Sequence, residues 1–333
     1  MTPIRARIAS IGCYVPERVL TNADLETMVD TSDEWIRTRT GIRERHLVAP
    51  GTPTSEIALR AAQQALDRAH VSASELDLII VATITPDMIF PATACLLQEK
   101  LHATRAWGFD LCAACSGFIY ALTTGAQFIA SGSHKKVLVI GADVMSSITD
   151  YTDRTTCILF GDGAGAALLD PSDDDTGILD WYAEVEGAGA RLITMPAGGS
   201  AQPATHETID KRLHHIRQEG GPVFKYATRK MAETPKLLLD RNGFTVADLG
   251  LFVAHQANAR IVDAVVQRLG IAPERAIKNV DRYGNTTAAT IPLALGTAIE
   301  ERRVKKGDLV MLASVGAGMT VGATLLRWSF DPD

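Results

Sequence analysis

The strongest constraint on the fold is a phrase that occurs twice. Ser74-Glu75-Leu76-Asp77-Leu78-Ile79-Ile80-Val81-Ala82 is echoed by Ala247-Asp248-Leu249-Gly250-Leu251-Phe252-Val253-Ala254. Each copy follows a helix-like stretch, Ser55 to His70 in the first case and Val223 to Asn242 in the second. Each is followed further on by a second apolar run, from Lys135 to Val144 and from Lys306 to Ser314. The runs are short, continuous and rich in β-branched residues, the pattern of strands buried on both faces. A helix–strand–helix–strand order used twice predicts an α/β fold made of two similar halves. The acidic, proline-containing run Asp170 to Thr176 reads as the loop between them, so the expected units are residues 1–174 and 175–333. Pro196 to Thr208, without clear periodicity, reads as a surface excursion over the site.

Bulk properties narrow the class. The chain has 333 residues, 46% hydrophobic and 22% charged, which suffices for a large buried core. A formal net charge of −6 argues against wholesale nucleic-acid binding. No apolar run reaches the length of a membrane span, and the first residues lack a secretory pattern, so a cytoplasmic location is expected. Five cysteines are too few and too scattered for a disulfide scaffold.

The chemistry gathers around Asp110-Leu111-Cys112-Ala113-Ala114-Cys115-Ser116-Gly117-Phe118, between a strand-like run (Ala106 to Phe109) and a helix-like run (Gly117 to Ala130). A thiol at a helix start meets unpaired N–H donors and a positive partial charge, which should lower its pKa from about 8.5. Cys115 is the expected nucleophile. Cys112 is expected to alternate with Leu111 along the strand and to pack as a small core hydrophobe. The Cys-x-x-Cys spacing also suits a redox pair or half of a zinc site. A thioredoxin-like pair, however, usually has Pro or Gly between its cysteines. Structural zinc needs four clustered ligands, whereas Cys13, Cys95 and Cys157 stand alone. Three further motifs lie at predicted strand or helix ends, where α/β folds assemble their sites: His255-Gln256-Ala257-Asn258, Gly284-Asn285-Thr286-Thr287 and Ser314-Val315-Gly316-Ala317-Gly318. Singly, each is as well explained by a structural histidine, a turn or tight packing.

Together with Asn22-Ala23-Asp24-Leu25, Asp30 to Ile36, Arg39 to Arg45 and Phe160 to Gly165, these motifs resemble the β-ketoacyl-acyl-carrier-protein synthase III family of the thiolase superfamily. The likeness runs from about Ile8 to the C-terminus. It implies a thiolase-like five-layered α-β-α-β-α fold of two pseudo-repeated halves. It also implies a decarboxylating Claisen condensation of a short acyl-CoA primer with malonyl-acyl-carrier protein, initiating fatty acid biosynthesis. Cys115, His255 and Asn285 would form the catalytic triad, with backbone N–H groups of Cys115 and Ala317 as an oxyanion hole. A preorganised donor of this kind is worth roughly 3–4 kcal/mol in the barrier. Trp35, Arg39 and Arg154 would bind CoA by stacking and charge pairing. Phe90 would shorten the acyl pocket. Lys225, Arg260 and Arg268 would dock the acidic carrier protein. A homodimer is implied, with no metal and no permanently bound cofactor, acyl-CoA being a substrate. Gly221-Pro222, Val315 and Val321 depart from the best-known family pattern and leave chain-length preference open. The alternatives are a secondary-metabolism ketosynthase or acyltransferase using another acyl-CoA, a thioester hydrolase, for which no extra general base is visible, and an inactive partner subunit, against which Cys115 stands.

Overall fold

The structure is a computed structural model and describes residues 4–332; the extreme ends of the two expected units, residues 1–3 and 333, lie outside it. Five strands form the first sheet: β1 (Ala6–Tyr14), β2 (Leu78–Ala82), β3 (Trp107–Leu111), β4 (Val137–Asp143) and β5 (Gly163–Pro171). Four form the second: β6 (Gly177–Val185), β7 (Leu249–Ala254), β8 (Leu309–Gly316) and β9 (Thr320–Arg327). The main helices are α1 (Asp33–Thr40), α2 (Thr54–Ala69), α3 (Thr93–Lys100), α4 (Gly117–Ala130), α5 (Gly220–Arg241), α6 (Ala259–Leu269) and α7 (Thr290–Glu300).

The sheet orders are β1-β5-β4-β2-β3 and β6-β9-β8-β7. In the first, β4, β2 and β3 run parallel while β5 is antiparallel to both its neighbours. In the second, β7 and β8 are parallel and β9 is antiparallel to both its neighbours. The first four positions of the two sheets therefore match strand for strand, and the repeated phrase of the sequence forms β2 and β7.

Amphipathic periodicity explains the outer layers. Helix α2 buries Ile57, Ala58, Ala61, Ala62, Ala65 and Leu66 against the first sheet. Helix α6 buries Ile261, Val262, Val265 and Val266 on the outer side of the second, beside α5. Apolar residues at these spacings form one helical stripe. Helices α4 and α7 differ, being apolar nearly all round. Phe118, Leu122, Ile129, Ile291 and Leu295 join strand residues of both sheets in one central cluster. The result is five layers: α2 and α3, the first sheet, α4 and α7, the second sheet, α5 and α6. This is the thiolase-like architecture expected.

Helix α4 begins just beyond the end of a strand and α7 just beyond a turn. The chain leaves β3 at Leu111 and enters α4 at Gly117, and α7 is entered from the Gly284-Asn285 turn. Cys115 and Asn285 thus reach one place from separate layers of sequence.

Candidate functional site

Three hydrogen bonds lash the segment between β3 and α4 to the second sheet. Ser314 Oγ donates to the Cys115 carbonyl at 2.7 Å, Thr320 Oγ1 to the Ala113 carbonyl at 3.0 Å, and Ser116 Oγ to the Thr320 carbonyl at 3.2 Å. The approach is close enough that a Cβ on Gly316 would lie 2.8 Å from both the Ala113 oxygen and the Cys115 nitrogen. Ala114, just before the thiol, is held at φ 47°, in the left-handed region that non-glycine residues seldom adopt.

A narrow cavity of about 160 Å³ lies against this segment. Cys115, His255, Asn285 and Ala317 all line it, with Phe224 and Ile261 nearer the outer helices. His255 follows β7 directly, its backbone N–H bonded to the Ala313 carbonyl at 2.8 Å. Its Nδ1 lies 3.1 Å from Thr290 Oγ1, which also accepts the Gln256 backbone N–H at 2.8 Å. Thr290 thus fixes the ring, although the sequence gives it no role. Asn285 is held by its own backbone, its N–H donating to Leu159 and its carbonyl accepting from Gly161.

Electrostatics revise the expectation for Cys115. The residue is only 9% exposed, and burial together with the nearby Asp143 carboxylate pushes the thiol up to about 12. A helix start favours the anion, but the low-dielectric surroundings and a negative neighbour outweigh it. Burial likewise pulls His255 down to about 3. Both shifts act in the same sense at neutral pH, favouring the protonated thiol and the uncharged imidazole.

Cys112 is the second correction. It is exposed rather than buried in the core. Strand β3 ends at Leu111, so the alternation that would have turned it inward stops one residue too early. It lies on the wall of a second, apolar cavity of about 390 Å³ that shares Ile84, Ala114, Ile193, Ile216 and Ala317 with the first.

Phe90 lines neither cavity. It is 82% exposed, with Met88 and Ile89 exposed beside it, so within one chain it is not a pocket wall. Trp35, Arg39 and Arg154 do cluster. The guanidinium of Arg39 lies 4.8 Å from the Trp35 ring centroid and that of Arg154 5.2 Å. Arg154 also donates to the Asp30 carbonyl at 2.8 Å. Lys225, Arg260 and Arg268 are exposed on α5 and α6, and none pairs with a carboxylate among the described residues. Arg260 sits 5.6 Å from the ring centroid of Phe224, at the cavity wall. The excursion from Pro196 is mostly exposed and is anchored at its far end by Arg212, whose Nε and Nη2 reach the two Asp150 oxygens at 2.6 and 2.5 Å. Among the described residues, no group of three or more His, Cys, Asp and Glu is placed to hold a metal ion.

Comparison with known proteins points one way. Two profiles of the 3-oxoacyl-(acyl-carrier-protein) synthase III family match, one over residues 109–187 and its C-terminal counterpart over residues 239–328. The chain is 60% identical over 329 residues to the beta-ketoacyl-(acyl-carrier-protein) synthase III of Solibacter usitatus, covering 98% of this chain and 99% of that one. It is 56% identical over 333 residues to that of Koribacter versatilis, covering 99% of this chain and all of the other. The crystal structure of 3-oxoacyl-(acyl-carrier-protein) synthase III from Aquifex aeolicus VF5 superposes with a TM-score of 0.90 at 46% identity, covering 97% of this chain and 100% of that one.

Two measurements probe the geometry. Cys115→Ala should abolish covalent acylation by acyl-CoA in intact-protein mass spectrometry, while Cys112→Ser retains most of it; a folded but unacylated Cys112→Ser protein would overturn the assignment. The second concerns acid stability. A histidine held near 3 in the fold but near 6.5 when unfolded stabilises the protein fully above about pH 6.5, and that contribution is lost as pH falls toward 3. Urea midpoints should therefore fall more steeply over this window in wild type than in His255→Asn, by about 1.4 kcal/mol per pH unit in unfolding free energy. Equal slopes would mean that the ring is not buried neutral.

Proposed function

The chain belongs to the 3-oxoacyl-(acyl-carrier-protein) synthase III family, and we propose that Cys115, His255 and Asn285 carry that family's condensation in this protein. The reaction joins an acyl-CoA primer to malonyl-acyl-carrier protein with loss of carbon dioxide and starts a fatty acid chain. The protein is an acyltransferase of the condensing type. A secondary-metabolism role finds no support in these relatives, whose names agree over nearly the full length.

The observation that carries the assignment is that the three side chains line one narrow cavity with Ala317. Cys115 Sγ attacks the acyl-CoA carbonyl and the CoA thiol leaves. The Cys115 proton ends on the departing CoA sulfur, which balances the exchange of one thioester for another. The malonyl thioester then takes the place of CoA. His255 and Asn285 donate hydrogen bonds to its carbonyl oxygen, which becomes an enolate oxygen as the carbon–carbon bond to carbon dioxide breaks. A neutral imidazole suits this role, because it offers a donor without holding a proton that the enolate would take. The enolate carbon attacks the acyl-cysteine. The tetrahedral oxyanion faces backbone N–H groups of Cys115 and Ala317; its collapse releases the Cys115 thiolate, which takes up one proton from solvent to restore the resting thiol.

Trp35, Arg39 and Arg154 are the proposed CoA contacts. An adenine between Trp35 and Arg154 needs about 7 Å, twice a stacking separation of about 3.5 Å, so Arg154 must swing outward from its 5.2 Å position. Lys225, Arg260 and Arg268 are the proposed carrier-protein contacts. What supports them is their exposure, the absence of a carboxylate partner among the described residues and the position of Arg260 against Phe224.

We further propose a cytoplasmic homodimer with no resident cofactor, built from units 1–174 and 175–333. The five strands of the first sheet end by Pro171 and the four of the second begin at Gly177. Strand β3 is an edge, and Trp107 on it is exposed; Met88, Ile89 and Phe90, in the segment before α3, are exposed as well. An open edge and exposed apolar side chains are features that favour pairing with a second copy. In that dimer, Phe90 would reach the partner's acyl pocket. All five cysteines are free thiols, and no helix is long and apolar enough to cross a membrane among the described residues.

His255→Ala and Asn285→Ala should each cut carbon dioxide release by about 10²–10³ while affecting Cys115 acylation far less. Equal losses in the two half-reactions would make His255 chiefly the base for Cys115. For the primer, kcat/KM across two-, four-, eight- and twelve-carbon acyl-CoAs should favour the short chains in wild type and shift toward longer ones in Phe90→Thr, by up to about 0.8 kcal/mol per additional buried methylene. A wild-type preference for long chains would remove Phe90 as the limiting wall.

A further inference from the structure

Asp143, the last residue of β4, is fully buried and has no cationic partner among the described residues. An isolated buried carboxylate is costly unless hydrogen bonds compensate it. Here one oxygen, Oδ1, accepts from Thr83 Oγ1 at 3.0 Å, from the Ile84 and Thr85 backbone nitrogens at 2.8 and 3.2 Å, and from Thr85 Oγ1 at 3.1 Å. The other, Oδ2, accepts from Thr287 Oγ1 and from the Ala288 backbone N–H at 3.1 Å. The first set belongs to the turn after β2, the second to the turn that follows Asn285. One carboxylate therefore joins two segments that each contribute to the cavity wall, through Ile84 and through Thr287.

The backbone at Thr287 shows what the joint does. Its φ is 48°, a left-handed conformation in which a β-branched residue is an outlier and for which glycine or asparagine is better suited. The threonine hydroxyl bonds Asp143, and in the same conformation the Thr287 backbone N–H donates to Asn285 Oδ1 at 2.9 Å. That second bond decides which way the carboxamide points, because a donor at that place requires the oxygen there and turns Nδ2 away from it. The surroundings leave the turn little room. A Cβ on Gly141 would lie 2.2 Å from the Ala288 carbonyl oxygen, and one on Gly284 would lie 2.7 Å from that of Leu159.

We propose that Asp143 and Thr287 are positioning residues that hold the Asn285 carboxamide with its N–H₂ toward the cavity, so that a donor and not an acceptor meets the developing enolate. The inference rests on the reading of Asn285 as that donor. Without the Thr287–Asp143 bond the turn relaxes out of the left-handed region, its N–H leaves Oδ1, and the carboxamide turns over about its terminal torsion. A carbonyl oxygen would then face the enolate and oppose decarboxylation. Acylation of Cys115 needs no such donor and is spared.

The test separates the half-reactions in full-length Thr287→Val, Thr287→Ala, Thr287→Gly, Thr287→Ser, Asp143→Asn and Asn285→Ala proteins. Acylation is followed by intact mass and carbon dioxide release from malonyl-acyl-carrier protein by gas trapping. Thr287→Val and Thr287→Ala should lose carbon dioxide release on the order of 10²-fold, the scale of one lost donor, with acylation changed only severalfold. Asp143→Asn should follow them. Thr287→Ser keeps the hydroxyl and should recover most of the rate. Thr287→Gly lacks the hydroxyl but accepts the left-handed backbone, and should lose less than Thr287→Ala. Adding Thr287→Ala to Asn285→Ala should cost nothing further, because both remove the same donor. The alanine variant only deletes atoms and keeps the question decidable if the valine variant does not fold. Wild-type carbon dioxide release in Thr287→Ala, with Asn285→Ala impaired, overturns the proposal and leaves Asn285 as the donor. Unimpaired release in Asn285→Ala removes the underlying reading instead. A serine variant as poor as the alanine one overturns the hydroxyl–carboxylate link.

Discussion

The structure depends on the burial of two helices from both sides. Gly117–Ala130 and Thr290–Glu300 lie between the sheets and are buried over most of their length, so their side chains are apolar or small at nearly every position except toward their C-terminal ends. Their starts cannot wander, because the same packing that excludes water fixes each helix along its axis. Cys115 precedes one start and Asn285 the other, and β7 delivers His255 between them. The precision of the site is inherited from the core, and the reactive groups need few contacts of their own to keep their places.

Burial on that scale also sets the chemistry. It makes charge expensive for the thiol and for the imidazole alike, and it holds both neutral where an exposed pair would be ready to exchange a proton. A thiol that burial keeps protonated is poorly reactive toward stray electrophiles. The nearby carboxylate of Asp143 reinforces this while serving a different purpose, through the donors it gathers from two turns. Electrostatic cost and hydrogen-bond order are thus linked at one residue.

Much of this was legible in the residues. The helix bounds Gly117 and Ala130 and the strand run ending at Ala82 could be read directly, because doubly buried elements are continuous in hydrophobicity and end abruptly. The motifs around Cys115, His255 and Asn285 were visible because each interrupts such an element with residues that packing alone does not require. Depth was not legible. The sequence shows that a cysteine opens a helix but not how far that opening lies from water, and the thiol moved opposite to the direction a helix start alone would give. Alternation misplaced Cys112 because the strand ends one residue before it. Phe90 could not be placed from one chain, since its environment in the proposed dimer is supplied by another. Asp143 offered only a faint signal, a lone carboxylate closing an apolar strand. The hydroxyl it accepts lies 144 positions further along.

Those separations also govern when the protein becomes an enzyme. The bonds from Ser314 to the Cys115 carbonyl and from Thr320 to that of Ala113 span about two hundred positions of chain. A ribosome makes the cysteine long before it makes the histidine, the asparagine or the loop that closes over them. Until then one side of Gly117–Ala130 has no sheet to cover it, and the nascent chain carries an apolar helix face and a thiol without partners. Reactivity and solubility are completed by the same late event, the arrival of the last two strands, so a truncated product would be both inert and prone to aggregate.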